Sequence, residues 1–191
     1  MSSDTPWATY VKAVIDFHPP GREPFRISPA PVGTRGCWPP GLTAPVHVIT
    51  AYNPGSDRPG EETNRDRQQA LERDLDAGGF EVWQAIGRDP HSAHQEPSFA
   101  VFGIAELEAR SLAARYRQDA IFSWTPTALL VLSCTDARRH EAGWILEAFT
   151  VPSGEQAARL SSRGILEEGH AAATISGACP ALGACKDTAH G

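Results

Sequence analysis

The chain has 191 residues, 41% of them hydrophobic and 21% charged, with a formal net charge of −6. That length fits one domain with a sizeable core, plus a tail. The negative balance argues against an extended nucleic-acid footprint, which needs clustered Lys and Arg, and no apolar run approaches the roughly 20 residues of a membrane helix.

The first residues, Met-Ser-Ser-Asp-Thr-Pro-Trp, carry neither a basic nor an apolar leader segment, so no secretory signal is expected. Cys37, Cys134, Cys179 and Cys185 form no Cys-x-x-Cys pair and read as thiols of a reducing compartment, which makes the cytoplasm the expected location.

In chain order, Trp7, Tyr10, Val11, Val14 and Ile15 follow the i, i+3, i+4 spacing of an amphipathic helix over residues 5–17, which His18-Pro19-Pro20-Gly21 stops. Phe25 to Ile27 predicts a short strand. The Pro- and Gly-rich stretch from Pro29 to Pro45 predicts a long loop anchored by Trp38. Val46 to Tyr52 is β-branched and apolar, a strand that ends in the turn Asn53-Pro54-Gly55. A helix over 61–77 follows, with Glu61 and Glu62 in its first turn and Gly78-Gly79 after its end. Counting back from Leu75 and Leu71 places Asn64 on the same inner face.

Strands are then predicted at 80–86 and 98–104, separated by a polar loop at 87–97 that holds His91, His94 and Glu96. A helix over 105–118, strands at 120–124 and 128–134, and a short helix near Trp144 to Phe149 complete the reading. Trp83, Phe102, Phe122 and Trp124 are read as core. One domain is expected over 5–150, with its core at 46–134 and a weakly structured or disordered tail over 151–191. The order strand-helix-strand-strand-helix-strand predicts an α+β class: a ferredoxin-like split βαβ sandwich with an N-terminal helix and an extra C-terminal hairpin strand.

That topology has a consequence. The end of the first strand, the start of the first helix, the loop between the next two strands and the end of the second helix all fall on one rim. Asn53, Asn64, Glu96 and Gln118 occupy those places.

The words Thr50-Ala51-Tyr52-Asn53-Pro54, Glu62-Thr63-Asn64-Arg65, Glu96-Pro97-Ser98-Phe99 and Gln118-Asp119-Ala120-Ile121, in this order, resemble the signature of a bacterial family, domain-of-unknown-function family 3293. The resemblance spans roughly Trp7 to Cys134. It implies a small bacterial cytoplasmic protein of no agreed activity, and it carries over onto Thr50, Asn53, Asn64, Glu96 and Gln118 as the family site, with Arg65 and Ser98 at lesser weight.

Glu96 is the one carboxylate expected at the centre of this rim and the candidate general acid or base, given partial burial. It also fits an ordinary ion pair with Arg58 or Arg65. Asn53 fits a plain turn former, and Asn64 and Gln118 fit amides that satisfy backbone groups. Read as a site, Thr50, Tyr52, Asn53, Arg58, Asn64, Arg65, His94, Ser98 and Gln118 surround Glu96 and would receive a small polar or anionic molecule. The start of the first helix would add N–H groups. His91, His94 and Glu96 lie on a loop without further ligands, so no metal is expected. The absence of Walker and Rossmann glycine patterns gives no reason to expect a cofactor, and self-association stays open. Whether the rim catalyses is left open too. The alternative is a structural or regulatory module whose polar rim only locks loops.

Overall fold

The computed structural model describes residues 4–55 and 57–148. The tail expected over 151–191, with Cys179 and Cys185, lies outside them.

The first departure from expectation comes at once. Helix α1 covers only Asp4–Tyr10, and Val14–His18 is strand β1. Ile15 and Phe17 are fully buried on one face while Asp16 points to the other, the period of a strand. A helix end running into a β-branched strand imitates i, i+3, i+4 spacing, and that is why one long helix was expected. β2 spans Phe25–Ala30 and β3 Val46–Ile49, so Thr50 to Tyr52 lie just past the strand. Helix α2 spans Glu61–Ala77.

β4 (Glu81–Arg88) and β5 (Gln95–Phe102) run further than expected, which shortens the polar loop between them. Helix α3 is Glu106–Arg115, and β6 (Ala120–Trp124) and β7 (Leu129–Ser133) form a hairpin. The short helix expected near Trp144 is instead β8, Arg139–Ala148, in which Ala142, Trp144 and Leu146 face the core.

The strands form a closed antiparallel barrel in the order β1-β2-β8-β7-β6-β3-β5-β4, with β4 pairing back onto β1. The ferredoxin-like sandwich is therefore incorrect. An open sheet would need a second layer over its inner face. Here β1, β2, β7 and β8 continue the sheet until it closes on itself, so no edge is left. Two of those strands were read as helix from sequence, and this hid the closure. Within the barrel, β6, β3, β5 and β4 are successive neighbours. Segments distant in sequence therefore still meet at one end.

Two apolar clusters hold the fold. The first draws on all eight strands and fills the barrel, with Ile15, Phe17, Ile27, Val48, Trp124 and Trp144 among its members. The second lies outside, where Leu71 and Leu75 of α2 and Ala109, Leu112 and Ala113 of α3 cover Ile49, Phe99, Val101 and Ile121. On the opposite flank Asp16, 1% exposed, accepts from Arg26 at 2.6 Å and from Arg88 at 2.5 Å, which ties β1 to β2 and β4. No helix among the described residues is long and apolar enough to cross a membrane.

Candidate site at the barrel mouth

The site is built on the turn that follows β3. Asn53 has φ 45°, a left-handed conformation that Asn tolerates better than most residues. Its backbone N–H donates to Asn64 Oδ1 at 2.9 Å, and Asn64 Nδ2 donates back to Asn53 Oδ1 at 3.0 Å. The reciprocal pair leaves the Asn53 amide N–H₂ directed at Glu96, where Nδ2 donates to Oε1 at 2.7 Å. The same carboxylate oxygen lies 3.1 Å from His94 Nε2. A chain of four side chains thus runs from a buried amide, Asn64, to a carboxylate that is 22% exposed and an imidazole that is 47% exposed.

Strand register explains where this chain ends. Glu96 pairs with Gly87, and by alternation it shares the inward face of β5 with Ser98, Ala100 and Phe102. Gly87 has no side chain to compete for the space. Glu96 therefore sits at a barrel mouth. Ser98, buried beneath it, donates to the Glu96 carbonyl at 3.1 Å.

Thr50 and Gln118 join the site as braces. Thr50 Oγ1 donates to the Pro97 carbonyl at 2.7 Å and accepts from Tyr52 N–H at 3.0 Å. Gln118 Nε2 donates to the Tyr52 carbonyl at 2.8 Å. Tyr52 is buried, and its hydroxyl donates to Glu61 at 3.2 Å; burial first, then Glu61, pushes its phenol above the ordinary value.

Arg58 and Arg65 are not the partners of Glu96. Arg58 donates to the Asp57 carbonyl at 3.4 Å, and Arg65 pairs with Glu61 at 3.8 Å, both side chains there being more than half exposed. Such an exposed pair contributes about 0–1 kcal/mol.

Four residues that the sequence did not place at the rim complete the arrangement. Gln68 Oε1 accepts from Ala51 N–H at 2.9 Å, and Arg67 donates to the carbonyls of Ala51 and Tyr116. Gln68 lies one turn beyond Asn64 on the stripe that ends in Leu71 and Leu75, so the spacing could have found it. Tyr10, from α1, lies within electrostatic reach of Asp119, Glu96 and Arg58, and its phenol is pushed up to about 12, chiefly by burial, then by Asp119 and Glu96. Nothing in sequence order links Tyr10 to Glu96; only barrel closure does. Beside it, Arg138 stands over the Trp7 ring at 5.1 Å. Among the described residues no group of three or more His, Cys, Asp and Glu is placed to hold a metal ion.

A family model described as "Protein of unknown function (DUF3293)" matches residues 49–121. Over this segment the chain is similar to DUF3293. The segment holds Thr50, Tyr52, Asn53, Arg58, Asn64, Arg65, His94, Glu96, Ser98 and Gln118, and so the whole chain of amides and carboxylate. Tyr10 and strands β1, β2, β7 and β8 lie wholly outside the DUF3293 match, and β3 and β6 only overlap its ends. Searches of curated proteins and of solved structures each found no match.

Proposed function

We propose that this barrel mouth binds a small polar or anionic molecule in a cytoplasmic protein, and that Glu96 and His94 together exchange a proton with it. The chain Asn64–Asn53–Glu96–His94 carries this reading. A carboxylate that orients a half-exposed imidazole is an arrangement used for general acid–base chemistry. The Asn53 and Asn64 amides are spent on one another and on Glu96. They act as positioning groups, and the atoms that meet the ligand are the imidazole, the outer Glu96 oxygen and the Tyr10 hydroxyl, with Arg58 close enough to balance an anion.

A second reading has an observation in its favour. Because Asn53, Asn64, Thr50 and Gln118 all have partners, the same network serves as a lock that fastens the turn after β3 to α2 and to β5. In that case nothing binds at the mouth.

A thermal-shift screen of metabolites and nucleotides separates the two. Binding predicts that some compound raises the melting temperature of the native chain and leaves Glu96→Gln and His94→Ala unmoved, while Arg65→Ala still responds. A shift equally large in Glu96→Gln, or no shift with any compound, supports the lock.

A further inference from the structure

We propose that the barrel interior is a second binding site, which accepts a flat aromatic molecule carrying a hydrogen-bond acceptor in the position occupied by Trp38. The interior is unusually rich in large rings for a packed core. Trp124 lies 5.1 Å from Trp144 at 88°, 5.2 Å from Phe17 and 5.9 Å from Phe25. Trp124 and Trp144 are both fully buried, and the Nε1 donor of each has no hydrogen-bond partner. A buried donor left unpaired costs about 1–3 kcal/mol, and native structures rarely retain one without a reason. An N–H directed at a ring face recovers only part of that. Two such donors in one interior are the signature of a place where an acceptor belongs.

The group that occupies the place is not a strand residue. Trp38 comes from the loop between β2 and β3, lies 4.3 Å from Trp124 at a tilt of 48° and 6.1 Å from Trp144 nearly edge-on at 71°, and keeps its own indole N–H on the Leu42 carbonyl within the same loop. Trp38 is only half-buried, unlike the two indoles that it covers. Its loop carries Pro31, Gly33, Gly36, Pro39, Pro40 and Gly41, without regular secondary structure. An eight-stranded barrel has room inside either for side chains or for one small ligand. Here one indole from a loop stands where such a ligand would fit. It supplies ring contact but no acceptor for the buried donors. A planar molecule with a carbonyl or ring nitrogen supplies both. This site is separate from the polar mouth and does not depend on the reading given there.

Coumarin, a flat lactone, is a suitable probe, and naphthalene is the control of similar size without an acceptor. In ¹H–¹⁵N spectra of the full chain, with the indole signals assigned from Trp124→Phe and Trp144→Phe, coumarin is expected to shift the Trp124 and Trp144 N–H signals downfield and leave Trp7 unmoved. Trp38→Ala, which vacates the position, is expected to bind coumarin several-fold more tightly than the native chain; Trp38→Leu replaces it if the alanine variant does not fold. Naphthalene is expected to bind more weakly than coumarin to each. Unmoved Trp124 and Trp144 signals in both the native chain and the folded Trp38 variant would overturn the proposal, because the interior is then simply a filled core. Equal binding of naphthalene and coumarin would overturn it as well, since the buried donors then recognise nothing.

Discussion

At the scale of the residue, single polar atoms decide the geometry of the barrel mouth. Asn53 is held by its left-handed backbone and by Asn64, and that leaves one amide edge for Glu96. Tyr10 reports independently on the same place. Its pKa is raised to about 12, so its ionisation is a stability term. The neutral phenol is the form that the fold favours. The contribution is fully present below the unfolded value, about 10, and is lost as pH rises from there through about 12. An ultraviolet titration of the phenols, with Tyr10 assigned by Tyr10→Phe, checks this. Asp119→Asn is expected to lower the Tyr10 midpoint more than Glu96→Gln does, and burial keeps it above the ordinary value in both. A midpoint that neither substitution moves would mean that α1 does not bring Tyr10 beside the two carboxylates. Tyr116, also raised to about 12 by burial and its bond to Asp74, is the internal reference that neither substitution should disturb.

Elements impose a different constraint, close approach. β8 replaces the helix expected near Trp144, and the chain between β2 and β3 runs beside it: the Trp144 backbone N–H donates to the Thr34 carbonyl at 2.9 Å. Gly143 permits the approach. A Cβ there would collide with the carbonyls of Pro31 and Thr34, which are backbone and cannot swing aside. Gly143→Ala is therefore expected to destabilise the chain by about 1–3 kcal/mol, the usual cost of overpacking, read as a lowered denaturation midpoint with unchanged slope. A neutral result would mean that the loop lies elsewhere, and Trp38 with it. The element scale also shows why part of the fold was illegible in the sequence. The helices at 61–77 and near 105–118 and the hairpin at 120–134 were readable because apolar period and the turn residues between the elements agree there. Val14, Ile15, Trp144 and Leu146 were read as helical because each run is short enough to satisfy both periods. The partner strand, which decides between them, is far away in sequence.

On the scale of the whole molecule, closure is the feature that local patterning could not disclose. A sheet that curls until β1 meets β4 needs no second layer over its inner face, and nothing in one strand's sequence announces its non-local partner. The expected sandwich failed for that reason, yet the rim was legible. Asn53, Asn64, Glu96 and Gln118 were placed together by an argument that needs only β3 between β5 and β6, and the barrel keeps those neighbours. Strand order alone did not disclose that Tyr10 reaches the mouth, or that the amides are engaged with one another. Nor could it supply Gln68 and Arg67, which hold the turn from below.

The central claim is that the amide–carboxylate bond from Asn53 to Glu96 couples the turn after β3 to the start of β5, beside the Thr50–Pro97 contact. The most direct measurement is a double-mutant cycle on unfolding free energy with Asn53→Ala, Glu96→Ala and the double variant. The account predicts a coupling of about 1–2 kcal/mol, as befits a part-buried hydrogen bond to a charged group. Strictly additive losses would contradict it.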